Sequence, residues 1–260
     1  MGKAIAIFNQ KGGVGKTTTN INLAACLAIK GKKVLVLDID PQGNTTSGLG
    51  IAKKGLEYTS YDLLIEDTID PLSTIYHTTV KNMDIIPASV DLAGAEIELV
   101  QIDGREKRLK KALESVRLNY DYIFVDCPPS LSLLTINALT AVDSVLIPIQ
   151  CEFYALEGVS QLVSTIELVR KSFNPNITIE GVILSMFDGR ANLSIQVAEE
   201  VKRFFGDKLY ATVIPRNVRL AEAPSFGLPI TSYDPKSKGA LAYMAFADEF
   251  LRMEASNGND

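Results

Sequence analysis

Histidine is almost missing from this chain and cysteine is scarce: His77 stands alone, and Cys26, Cys127 and Cys151 are widely spaced with no C-x-x-C pair. No acidic or nucleophilic motif surrounds His77, so it reads as a structural or surface residue. An odd number of dispersed thiols argues against a disulfide framework and fits reduced side chains in a cytosolic protein. Cys26 falls inside an apolar helical run and reads as core. Long hydrophobic runs are lacking too. The longest uncharged interval, Cys127–Val142, holds two adjacent prolines and is too short to cross a bilayer. The first residues enter an apolar strand pattern almost at once, which predicts no signal peptide. There is no internal repeat or low-complexity tract. Nor is there an excess of positive charge: 26 Lys and Arg stand against 31 Asp and Glu, a net of −5. That balance excludes a general nucleic-acid coat protein but leaves room for a local basic face. The expectation is a soluble, cytoplasmic protein with no membrane partner.

What the chain does have is apolar content (47% hydrophobic) and a regular alternation of short apolar runs with helical patterns. Its 260 residues are within reach of one α/β domain, expected over residues 1–254, with a polar, fraying tail at 255–260. Ala4–Phe8 reads as a strand and 17–31 as a helix ended by Gly31. Lys33–Asp38 (KVLVLD) is a continuous apolar run ending in an acid, the pattern of a strand buried on both faces. Residues 39–62 read as a long, polar, mobile loop, and 61–82 as a short helix with an irregular connection. Further strands are expected at Met83–Pro87, Tyr122–Asp126, Val142–Gln150, Thr178–Phe187 and Leu209–Ile214. Helical patterns cover 91–118 (broken near Gly104), 155–172, 193–206 and 237–254. Strands alternating with helices in this way predict a single doubly wound, mostly parallel α/β sheet with helices on both faces.

The stretch Lys3–Thr18, KAIAIFNQKGGVGKTT, has the order strand, phosphate loop, helix. Gly12, Gly13 and Gly15, with Val14 among them, let the backbone turn its N–H groups onto an anion at the positive end of the next helix. Lys16 is placed to reach β- and γ-phosphates, the Thr17 hydroxyl to ligate Mg²⁺, and Thr18 follows in the same turn. Yet the strict G-x-x-x-x-G-K-[ST] pattern fails, because Gln10 stands where its first glycine belongs. Lys11 follows instead, a second lysine five residues ahead of the first. It is either a surface cation or a group that leaves its own loop for the nucleotide of a second subunit, since two ammonium groups at one triphosphate repel each other.

Two more strands deliver acids to the same carboxyl edge, where such sheets bind ligands. Asp126, in VDCPPS, is suited to hold Mg²⁺ as a Walker B acid does. Asp40, in LDIDPQGN, can orient or deprotonate an attacking water. Asp38 either lies near Mg²⁺ or structures the loop. Pro128 and Pro129 stiffen a segment beside the γ-phosphate, and Cys127 reads as a small buried side chain.

KGGVGKTT, LDIDPQGN and VDCPPS together resemble the deviant Walker A ATPases, and closely the ParA/Soj partition ATPases; the likeness continues through VIPRNVRLAEAPSFGLPI (213–230). The resemblance implies an ATPase using ATP and Mg²⁺, and a homodimer with ATP sandwiched at its interface. Lys11 would act across that interface, and the two loops would approach closely at Gly12. It further implies weak intrinsic hydrolysis raised by a ParB-type partner. For the adenine it implies contacts from Met186–Asp188 and from Pro215, Arg216 and Asn217. It also implies non-specific duplex DNA binding by the ATP-bound dimer, which would associate with the nucleoid, through Arg190 and Arg219. From Met186 to Arg219 the chain carries six basic and four acidic residues, a modest patch that a dimer would double.

Three rivals share the loop. A MinD-like membrane ATPase would carry a basic amphipathic C-terminal helix, whereas Ala240–Met253 contains Asp248 and Glu249 and lacks a Lys/Arg face. A nitrogenase-like iron protein would need cysteines in a cluster loop. An ATP-dependent biosynthetic ligase would need a further catalytic set that the sequence does not display. The absence of a long stretch before the first strand leads to the expectation of no added operator-binding domain, as in the short Soj-like subgroup.

Overall fold

The computed structural model describes residues 1–152 and 155–257. Among the described residues eight strands form one sheet in the order β3-β4-β2-β5-β1-β6-β7-β8. They are β1 (Lys3–Ile7), β2 (Val34–Asp38), β3 (Tyr76–His77), β4 (Met83–Ile86), β5 (Tyr122–Asp126), β6 (Ser144–Gln150), β7 (Thr178–Phe187) and β8 (Leu209–Pro215). All neighbours pair parallel except β3, which runs antiparallel to β4 at the edge. The doubly wound sheet expected from the sequence is therefore present, with β3 added. A two-residue strand shows no periodicity of its own and exists only through its pairing with Ile85 and Asp84.

Alternation along the central strands builds two cores. Ala4 and Ala6 of β1, Leu35 and Leu37 of β2, and Ile123 and Val125 of β5 face one side. Ile5 and Ile7, Val34 and Val36, and Tyr122 and Phe124 face the other. The first core is covered by α3 (Ser60–Ile65), α4 (Leu92–Leu99), α5 (Arg108–Val116), α6 (Leu133–Ala141), α7 (Ala155–Ser172) and α8 (Asn192–Phe205). The second lies under α1 (Lys16–Ile29), α10 (Ile230–Tyr233) and α11 (Lys238–Asn257), with α2 (Asn44–Gly48) and α9 (Val218–Glu222) at its rim.

Three expectations need correction. The loop expected over 39–62 contains α2, whose Thr45 and Thr46 are fully buried, and the start of α3. Helix α6 was not legible in the uncharged interval 127–142: seven of its nine residues are buried, so it has no polar face to set a helical period. The tail expected to fray over 255–260 is helical through Asn257, and Glu254 just before it is tied to Lys3 at 2.6 Å. Residues 258–260 lie outside the described residues. Helix α11 is further fixed by Glu249, which accepts the β8 N–H groups of Ala211 (2.6 Å) and Thr212 (2.8 Å).

Gly181 in β7 leaves room for the Tyr210 ring on β8, and a methyl there would also sit 3.1 Å from the Lys208 carbonyl. Gly181→Ala is expected to destabilise the fold by about 1–3 kcal/mol through overpacking, read as a lower urea midpoint.

Candidate functional site

Strand order decides the site. Because β5 lies between β1 and β2, Asp126 at its end stands between the loop leaving β1 and the loop leaving β2. Asp38 and Asp126 are direct register partners across β2 and β5. Both are essentially inaccessible. Burial, reinforced by repulsion between neighbouring carboxylates, pushes both above the usual carboxylate range.

The surrounding loops supply donors to this pair. Asp38 Oδ2 accepts the N–H (2.8 Å) and the hydroxyl (2.7 Å) of Thr46, and Oδ1 accepts the Asp40 N–H at 3.2 Å. Both oxygens are thus used in holding the loop, the second of the two roles open to Asp38 from sequence. Asp126 Oδ2 accepts the hydroxyls of Thr17 (2.8 Å) and Thr45 (2.7 Å). Its Oδ1 is buried and has no partner among the described residues. A buried, unpaired carboxylate oxygen beside a threonine hydroxyl is a donor set that fits a hard, hydrated cation such as Mg²⁺.

The phosphate loop bends through left-handed Gly13 (φ +75°) and Gly15 (φ +89°), conformations that glycine adopts without strain. Gly15 opens α1, whose first turn carries no acid to compete with an anion. The loop is pinned from three sides. Ser185 of β7 donates to the Val14 carbonyl at 2.7 Å. Asn9 donates to the Pro148 carbonyl at 2.8 Å and accepts the Lys11 N–H at 3.0 Å. Gln10 donates to Thr165 of α7 at 2.8 Å.

A cleft of about 370 Å³ opens above the loop. Gly12, Gly13, Gly15, Lys16, Thr17 and Thr18 form its floor; Asp40, Gln42 and Asn44 come from the β2 loop, Pro129 from the β5 loop and Met186 from the end of β7. Met186 holds a left-handed backbone (φ +50°) there. Lys16 is nearly buried, with Nζ on the Lys11 carbonyl at 3.1 Å, and desolvation lowers its pKa. Cys127 is buried and its thiol is pushed well up, so it is an inert core group.

The two lysines diverge. Lys11 is not among the residues lining the cleft; its Nζ reaches Glu152 at 3.1 Å, with about a third of the side chain exposed. A Cβ added at Gly12 meets nothing within 4 Å, and Gly12 is not one of the left-handed glycines. Pro215, Arg216 and Asn217 also lie outside the cleft lining, and the Asn217 side chain caps α9 by accepting the Arg219 N–H at 2.8 Å. Arg190 and Arg219 follow the neighbouring parallel strands β7 and β8 and so share the carboxyl edge with the loop. Both are exposed, Arg190 paired with Asp188 and Arg219 with Glu222 and Asp234. His77, exposed on β3, pairs with Asp84, which raises its pKa.

Sequence reasoning passed over Thr45, Thr46 and Ser185. The first two sit inside what reads as a polar loop, and nothing local marks the third.

The AAA domain family matches residues 2–179. Across 258 residues the chain is 64% identical to the sporulation initiation inhibitor protein Soj of Bacillus subtilis, covering 99% of this chain and 100% of that one. It is 50% identical over 252 residues to the chromosome-partitioning ATPase Soj of Treponema pallidum, covering 96% and 98% respectively. This chain belongs to the Soj/ParA family of chromosome-partitioning ATPases. Among solved structures, a cobyrinic acid a,c-diamide synthase from Mycobacterium smegmatis with bound ADP and magnesium superimposes with a TM-score of 0.86, at 38% identity over 99% of this chain and 97% of that one. The Soj/ParA chain is accordingly an ATPase. No helix among its described residues is long and apolar enough to cross a membrane.

Removing the loop's anchor should be felt before any chemistry. Asp38→Ala leaves the Thr46 donors unpaired and is expected to cost about 1–3 kcal/mol, read by urea unfolding without nucleotide.

Proposed function

We propose that this partition ATPase dimerises around two ATP molecules, binds duplex DNA without sequence preference only in that state, and is returned to monomers by hydrolysis that a ParB-type partner accelerates. The observation that carries this reading is the divergence of the two lysines. Lys16 lines its own cleft, whereas Lys11 lies outside that lining, about a third exposed, with its ammonium on Glu152; in the proposed dimer it would turn to the second subunit's nucleotide. The open space at Gly12 agrees: nothing in its own chain requires a glycine there, but a second loop approaching closely would.

In this reading the cleft binds the triphosphate along the backbone of residues 12–18, and Lys16 neutralises the β- and γ-phosphates. Thr17 and Asp126 would hold Mg²⁺, which offsets charge on the phosphate oxygens when bound. Asp40 orients the water whose oxygen bonds to the γ-phosphorus in line with the departing ADP. Lys11 from the partner stabilises the charge that develops, as a finger supplied in trans. Met186 lies against the nucleotide, while Pro215, Arg216 and Asn217 would reach the base only from beyond the cleft as it now stands. Arg190 and Arg219 contact DNA phosphates, and doubling them across the dimer makes ATP a switch for DNA affinity. The bound dimer would then associate with the nucleoid. A ligase reading draws on the solved synthase at 38% identity, but the full-length match to Soj at 64% is the stronger likeness.

DNA co-sedimentation with ATP, ADP or no nucleotide tests the cycle. Wild type should pellet with DNA only in ATP, less so as salt rises. Lys11→Ala should bind ATP yet neither dimerise nor pellet, and turnover should fall by about 10³-fold or more. Asp40→Ala should dimerise and pellet without hydrolysing, Gly12→Val should bind nucleotide as a monomer, and Lys16→Ala should lose every nucleotide response. Arg219→Ala should flatten the salt dependence. Equal DNA binding without nucleotide, or ATPase activity answering to a small metabolite and not to DNA, would overturn the proposal.

A further inference from the structure

Asp126 is held by a second hydroxyl that the proposed hydrolysis leaves without a task. Thr45, the second residue of α2, is wholly buried and donates to Asp126 Oδ2 at 2.7 Å, the same oxygen that Thr17 contacts. On its other side Thr45 Oγ1 accepts from Asn20 Nδ2 at 3.3 Å, and Asn20 is itself fully buried on α1. The Oδ1 atoms of both Asn20 and Asp126 are buried with no partner among the described residues. A threonine that only filled space would have no need to spend its single proton on this carboxylate.

The hydroxyl is also held in place. Gly43 starts α2 in a left-handed conformation (φ +57°), and Thr46, next to Thr45, is bound to Asp38 through both its N–H and its hydroxyl. At the far end the backbones of Gly50 and Gly227 meet closely, a Cβ at Gly50 falling 3.1 Å from the Gly227 carbonyl. Thr45 is therefore carried on a short helix fastened at both ends.

Two donors on one oxygen fix the rotation of the Asp126 carboxylate and leave Oδ1 as the oxygen not spoken for. We propose that Thr45 is a positioning residue for Asp126: its hydroxyl, oriented by Asn20, pins Oδ2 so that Oδ1 is presented to the cation accompanying the nucleotide. The inference rests on the reading of Asp126 as the carboxylate that holds Mg²⁺. Thr17 cannot serve alone in that reading, because its oxygen is engaged by the cation, whereas Thr45 acts only on the carboxylate. Partners behind a metal-binding group commonly change metal affinity by about 10–100-fold when removed.

The test is Mg²⁺ titration of the binding of a fluorescent ADP to the full chain, with EDTA as the metal-free arm. Thr45→Val keeps the shape and deletes the hydroxyl. It should raise the Mg²⁺ concentration for half-maximal tight binding by about 10-fold or more, with ADP binding in EDTA unchanged. Thr45→Ser should restore the wild-type titration. Asn20→Ala should shift it in the same direction by less, and provides a second reading if Thr45→Val folds poorly. A wild-type titration in Thr45→Val and Asn20→Ala, with the Mg²⁺ response lost in Asp126→Asn, overturns the role of Thr45 and leaves the metal reading standing. An unchanged Mg²⁺ response in Asp126→Asn overturns the metal reading and the inference together. Equal weakening of ADP with and without Mg²⁺ in Thr45→Val marks a structural role and also overturns it.

Discussion

Two buried carboxylates in register at the ends of adjoining strands set the terms for everything around them. Asp38 and Asp126 are packed side by side beneath the cleft, where an unpaired charge would be costly to hold. Neighbouring loops therefore converge to donate to them: Thr17 from the start of α1, Thr45 and Thr46 from α2, and the Asp40 backbone. The β2 loop is folded into a helix for this reason, although its composition is that of a flexible connection. The acids divide the work. Asp38 spends both oxygens on the loop, while Asp126 keeps one in reserve.

The same edge of the sheet separates the two lysines of the phosphate loop. Lys16, nearly buried on the Lys11 carbonyl, is held where desolvation sharpens its effect on an anion. Lys11 is turned out to Glu152 at the rim. In the proposed cycle this geometry makes the nucleotide belong to two subunits at once. In the same proposed cycle the ion pairs of Arg190 and Arg219 with nearby acids would weaken DNA binding by a single copy, since each arginine would have to leave a partner to meet a phosphate.

Much of this was legible before any coordinates. The apolar runs named seven of the eight strands, because buried parallel strands are continuous in Val, Ile and Leu. The glycine loop and the strand-end acids pointed to phosphate chemistry, and the fold brings them together at one sheet edge. Helix α6, strand β3 and helix α2 were not legible. The first has no polar face, the second exists only through its partner, and the third forms because its threonines satisfy carboxylates that lie far away in sequence.

The sequence by itself determined the class of fold and pointed to phosphate chemistry, since both follow from local residue types at fixed spacing, and its resemblance to known chains carried the family. The tertiary structure alone decided what those residues touch. Strand order put β5 between β1 and β2, and so placed Asp126 within reach of Thr17 and Thr45, residues 109 and 81 positions away. Which lysine faces the cleft, which acid keeps a free oxygen and which threonine holds it are questions of approach between distant segments. Packing answers them, because only there does a buried donor find the acceptor it cannot do without.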